Sequence, residues 1–116
     1  MSEKIRVLVI EPGKNPEERE IDNTLEALQE IVGGYIQVVP MKFRYAGNDA
    51  VDRAELICNE EGKLKGLPVN RYIKELNYDA VCGTFLLAGV GEEDFESLTE
   101  EQIRRLKDRY NIDDVW

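Results

Sequence analysis

From Ile5 to Ile10 the chain is almost continuously apolar, broken only by Arg6, and Glu11-Pro12-Gly13 ends the run. Such a run predicts a strand buried on both faces. Pro12 to Pro16 reads as a turn, after which Glu17 to Ile21 pairs back as a short, charged outer strand. Asn23 with Glu26 three residues on resembles a helix N-cap and its acidic partner, Leu25, Leu28, Ile31 and Val32 share one helical face, and Gly33-Gly34 stops the helix. Tyr35 to Phe43 follows as a strand. Pro40 within it lacks an N–H and predicts a bulge or an outward-facing edge position.

Tyr45 to Asp52 reads as a polar loop, Ala54 to Asn59 as a strand entering the core, and Asn70 to Leu76 as a short helical passage. Asp79 to Val90 reads as one central strand, interrupted near Gly83 by a bulge or a close approach. Gly91 to Glu96 is an acidic loop, and Thr99 with Gln102 caps a final helix whose apolar stripe is Ile103, Leu106 and Tyr110. Strands in hairpin and meander order with inserted helices predict an α+β fold: one compact domain, residues 1–116, with a mixed or mostly antiparallel sheet packed by two main helices.

The segment Cys58 to Arg71 stands apart, because it sets polar groups between two apolar runs and fixes the path with Gly62, Gly66 and Pro68. Glu60-Glu61-Gly62-Lys63 predicts a tight turn, and Gly66-Leu67-Pro68 a second turn presenting Asn70 and Arg71. If this loop folds back over the strand carrying Gly83, then Asn59, Glu60, Glu61, Lys63, Asn70, Arg71 and Thr84 converge on a polar pocket. Asparagine supplies donor and acceptor, and arginine a planar fork for phosphate or carboxylate. The competing reading is architectural: Asn59 and Asn70 satisfy the turn backbone, and Arg71 pairs with Glu60 or Glu61.

Composition narrows the chemistry. No histidine is present, so the commonest general base and transition-metal ligand is missing. Ser2, Ser97 and Thr84 have no evident activating base, and Cys58 and Cys82 sit in apolar runs as small, reduced core residues. The expectation is a non-enzyme with no catalytic residue, no cofactor and no metal site. The glycines lack phosphate-loop spacing, acidic pairs such as Glu60-Glu61, Glu92-Glu93 and Asp113-Asp114 are expected in so acidic a chain, and Glu92, Glu93 and Asp94 lack the full calcium-loop pattern. The net charge of −9 disfavours direct binding to nucleic acid or an anionic membrane, though a local cluster of Lys63, Lys65 and Arg71 lies within reach of a phosphate. The lack of a leader-like or spanning apolar run predicts a cytoplasmic protein. Trp116 reads as an anchor that docks residues 111–115 on this domain or on a second copy, which leaves a homo-oligomer open.

Leu25-Glu26-Ala27-Leu28-Gln29, Val32-Gly33-Gly34-Tyr35-Ile36, Asn59-Glu60-Glu61-Gly62-Lys63-Leu64 with Gly66-Leu67-Pro68 and Asn70, and Gly83-Thr84 occur in an order that covers most of the chain. Together they resemble a small family found mainly in bacteriophages, plasmids and other mobile elements, catalogued only as a domain of unknown function. The resemblance implies a compact accessory protein whose relatives sometimes sit near anti-restriction proteins, and it implies no reaction. Two functions follow as expectations. One is sequestration of a small anionic or nucleotide-like ligand by Asn59, Glu60, Lys63, Asn70, Arg71 and Thr84, as counter-defence. The other is inhibition of a host nucleic-acid-binding or defence enzyme through an acidic face around Glu92 to Glu101 and Asp108 to Asp114. A purely structural accessory domain is the third reading.

Overall fold

The first apolar run becomes β1 (Lys4–Ile10) in a computed structural model that describes residues 3–112. Alternation divides its side chains: Ile5, Val7 and Val9 face one side of the sheet, Leu8 and Ile10 the other. Both sets are buried, since each face of the sheet is covered. β2 (Glu17–Asp22) pairs antiparallel with β1 from Lys4↔Asp22 to Val9↔Glu17 as the expected charged hairpin partner. It forms one end of the sheet, and its charged residues discourage further strand pairing there.

α1 (Leu25–Val32) is capped by Thr24, whose hydroxyl accepts from the Ala27 N–H at 3.2 Å. The expected cap, Asn23, instead donates its side-chain amide to the Phe95 carbonyl at 3.0 Å. Thr24 wins because its extended backbone aims the hydroxyl at the third helical N–H. Leu28 and Val32 are the buried residues of α1, and Leu25 is exposed. They pack on Ile5, Val7, Val9, Ile57, Leu86 and Ala88.

β3 (Ile36–Tyr45) and β4 (Asn48–Asn59) form a long antiparallel hairpin. The polar loop expected over Tyr45 to Asp52 is mostly strand, turning at Ala46-Gly47. The polar residues fall in adjacent pairs, but burial alternates through Ala50, Asp52 and Ala54, and the inward carboxylate of Asp52 meets Tyr45 and Arg105 within the fold. Pro40 occupies an exposed edge position in continuous register with Glu55, and the register shift lies at Arg44/Tyr45 instead. The edge position, not the bulge, accounts for the proline.

β5 (Val69–Ile73) replaces the helical passage expected over Asn70 to Leu76, and Lys74–Leu76 alone makes a 3-10 turn. The expected central strand divides into β6 (Asp79–Cys82), which pairs with β5, and β7 (Phe85–Val90), which joins the main sheet. Gly83 causes the break. Its φ of 83° swings the chain from one sheet to the other, and a Cβ there would lie 2.7 Å from Leu67 Cδ1.

The main six-stranded sheet runs β2-β1-β7-β4-β3, with the short β8 (Phe95–Glu96) also paired to β7 inside the expected acidic loop. α2 (Glu100–Tyr110) starts with the expected Thr99/Gln102 capping box and buries Ile103, Leu106 and Tyr110. Burial of such side chains, worth about 1.5–3 kcal/mol each, outweighs the charged outer surface of α2 and docks it. α2 and the β5–β6 hairpin cover the face holding Leu8, Phe43, Leu56 and Phe85, opposite α1. The fold is α+β with an antiparallel sheet between the two layers.

Candidate functional site

A coil of overlapping turns follows β4, in place of two separate turns. Gly62 N–H donates to Asn59 O at 3.2 Å, Lys65 to Glu61 at 2.9 Å, Gly66 to Lys63 at 3.1 Å and Leu67 to Gly62 at 3.0 Å. Asn59 anchors it: its amide donates to the Val32 carbonyl at the end of α1 (3.2 Å), and its side-chain oxygen accepts from the Glu61 N–H (2.8 Å). Gly62 lets the coil press against β6, because a Cβ there would sit 2.6 Å from the Cys82 carbonyl oxygen.

Between this coil and the 3-10 turn leading into β6 lies a cleft of about 620 Å³. Leu56, Cys58, Leu76 and Val81 give it apolar walls, while Glu60, Lys63, Glu75, Asn77 and Asp79 add polar groups. Lys63 Nζ bonds both Asp79 oxygens, at 2.7 and 2.8 Å, on an exposed rim. That bond raises the Lys63 ammonium above its ordinary pKa and lowers the Asp79 carboxyl. Burial pushes the Cys58 thiol up, which disfavours the nucleophilic thiolate. Cys82 is half-buried at the cleft rather than part of the core.

Asn70 and Arg71 do different work on the far side of the coil. The Asn70 amide donates to Ile10 O and Gly83 O, each at 2.8 Å, pinning β1 to the β6–β7 crossover. Arg71 donates to Asn70 Oδ1 (2.8 Å), Lys14 O (2.6 Å) and Tyr110 O (2.9 Å). It thereby caps the last carbonyl of α2, where a cation complements the helix dipole. Its partners are carbonyls and an amide, not Glu60 or Glu61, and Glu61 pairs loosely with Lys65 at 3.7 Å. Thr84 lies in the crossover, half-buried.

The structure therefore brings Asn59, Glu60 and Lys63 to one cleft and leaves Asn70, Arg71 and Thr84 outside it. The single polar pocket expected from the sequence does not form, because Asn70 and Arg71 are consumed in joining β1, β7 and α2. Sequence reasoning missed Glu75, Asn77 and Asp79. Asn77 and Tyr78 reverse the chain with consecutive positive φ values of 56° and 61°, a sharp turn made without glycine. The polar break Asn77-Tyr78-Asp79 between apolar runs was the available signal. Among the described residues no group of His, Cys, Asp and Glu is placed to hold a metal ion.

The acidic face is partly gathered as well. Glu3, Glu92, Glu93, Asp94 and Glu96 surround a shallow hollow, and α2 carries Arg104, Arg105, Lys107 and Arg109 between its acids. The docking expected of Trp116 and the acids Asp113 and Asp114 lie outside the described residues. No helix among the described residues is long and apolar enough to cross a membrane.

No curated protein and no solved structure matches the chain. Residues 5–111, which hold every described helix and all but the first residue of β1, match the family model described as a domain of unknown function, DUF3846. This chain belongs to the DUF3846 family.

Proposed function

We propose that this chain is a non-catalytic accessory module that takes a small hydrogen-bonding ligand into the cleft between the 60–66 coil and the start of β6. The observation that carries the reading is the cleft itself, whose volume of about 620 Å³ falls in the usual range for small-molecule sites. Its apolar walls suit a flat ring, and Asn77, Glu60 and the Lys63–Asp79 pair supply polar contacts around it. Asp79 is already held by Lys63 and Glu75 by Arg109 at 2.7 Å, which leaves the Glu60 carboxylate as the uncompensated charge of the lining. A neutral or cationic ligand such as a nucleoside fits that balance better than the anionic one anticipated from the loop sequence. With the mobile-element setting that the sequence resemblance implies, sequestration of a defence-related small molecule is the role we assign.

A thermal-shift screen of nucleosides and their nucleotides tests this. Nucleosides raise the unfolding midpoint, and Lys63→Ala with Asp79→Ala changes that response while Thr84→Val leaves it intact. No shift with any compound, or a response insensitive to Lys63 and Asp79, overturns the reading. A second reading, an acidic inhibitor of a host protein, is supported by the way Glu3 joins Glu92, Glu93, Asp94 and Glu96 on one surface. Loss of a recovered host partner on charge reversal at Glu92, Glu93 and Glu96 would favour it instead.

A further inference from the structure

Away from the cleft just described, the ends of β3 and α2 meet the 3-10 turn at a corner of unusual charge for an acidic protein. A hollow of about 500 Å³ is lined there by Arg44, Lys74, Arg105 and Arg109, with Asp108 as the one carboxylate. Two of the arginines are held rigidly from behind. Arg105 donates through Nε and Nη2 to the two oxygens of buried Asp52, both at 2.8 Å, and through Nη1 more weakly to exposed Glu101 at 3.5 Å. Arg109 donates to Glu75 at 2.7 Å and to Arg44 O at 2.8 Å, and its guanidinium lies 5.0 Å from the Tyr45 ring centroid and 5.5 Å from that of Phe43.

A guanidinium has five N–H donors, and these contacts leave two unused on Arg105 and three on Arg109. Asp52, Glu75 and, at longer range, Glu101 offset their charge, so the arginines bring oriented donors rather than net charge. The unpaired positive charge comes from Arg44 and Lys74, whose side chains have no ion-pair partner among the described residues, and Asp108 offsets part of it. Fixed donors beside unpaired cations are what a compact oxyanion needs, because little side-chain freedom is lost when it binds. We propose that this corner is a second binding site, for the phosphate groups of a small phosphorylated molecule. A nucleic-acid strand fits less well: the hollow is confined, and the net charge of −9 repels an extended polyanion.

Tripolyphosphate titrated into the purified protein by calorimetry, at low and at moderate salt, tests the assignment. Binding is expected at low salt, weaker as salt rises, and about tenfold or more weaker in the Arg44→Ala/Lys74→Ala double variant, whose urea midpoint stays unchanged. Lys63→Ala, in the other cleft, leaves tripolyphosphate affinity as it was, so this site and the nucleoside cleft fail or stand separately. No binding at millimolar tripolyphosphate, equal binding by the double variant, or loss of binding in Lys63→Ala overturns the assignment. Tighter binding of a short single-stranded oligonucleotide than of tripolyphosphate overturns the small-molecule part of it.

Discussion

Two ion pairs of nearly the same length hold this molecule in opposite ways. Arg105 grips Asp52 at 2.8 Å through two donors, and Lys63 grips Asp79 at 2.7 and 2.8 Å through one. The surroundings differ most: the Asp52 side chain is 3% exposed and that of Asp79 is 62% exposed. In the interior Asp52 has no water to fall back on, so its partners are obligatory. On the rim, solvent competes for both charges and screens them. The first pair belongs to the fold, and the second is one that solvent already competes for.

Removing a partner from the buried pair is the strongest way to test that contrast. Asp52→Ala strands the Arg105 guanidinium and the Tyr45 hydroxyl, which donates to Asp52 at 2.7 Å. Breaking a buried pair typically costs about 3–5 kcal/mol, and the lower end applies because Arg105 retains some access to water. Urea unfolding should show a loss of about 3 kcal/mol. The pH dependence carries the same signature. The hydrogen bond from Arg105 holds the Asp52 carboxyl below its ordinary pKa, against the opposing effect of burial. A depressed folded-state pKa gives stability that is present above the unfolded carboxyl's pKa and lost as pH falls through the folded one. The acid limb of the stability curve should therefore be shallower in Asp52→Ala below about pH 4. An unchanged limb would show that the pair is not what resists acid.

A buried group without charge sharpens the comparison next. Asn70 satisfies two carbonyls from different strands and also accepts from Arg71. Asn70→Ala leaves those carbonyls and one guanidinium donor without this partner, at roughly 1–3 kcal/mol per stranded group before relaxation. A net loss of about 2 kcal/mol in urea unfolding is expected, smaller than for Asp52→Ala. Nucleoside binding at the cleft should persist in whatever fraction stays folded. Loss of binding in a fully folded variant would return Asn70 to the site.

The same contrast explains what the sequence could reveal. Periodicity and capping chemistry exposed β1, the β1–β2 hairpin, the end of α1 at Gly33, and the cap and buried stripe of α2, because these follow from local spacing. Asp52 was hidden: a carboxylate beside Val51 and Arg53 reads as a loop until Arg105, far along the chain, is seen to neutralise it. The division of Asp79 to Val90 between two sheets was hidden for a related reason, since Gly83 signals a break but not where each half pairs. In Cys58 to Arg71 the residue types pointed to polar work, yet only the fold decides that Asn70 and Arg71 spend it on strand carbonyls and that Lys63 faces a cleft.

The smallest expected effect is the most discriminating. Lys63→Ala removes the exposed pair completely, and the freed Asp79 carboxylate is simply hydrated, so the urea midpoint should not move measurably. The cleft should still notice, because its one lining ammonium is gone and the excess of carboxylates around it grows. A cationic ligand of the cleft should then bind more tightly, read by calorimetry on the same preparation. A shifted midpoint would place the Lys63–Asp79 pair beside Arg105–Asp52 as part of the fold. An unmoved midpoint with altered ligand preference separates the two pairs, because a contact that stability does not need then governs what the cleft admits.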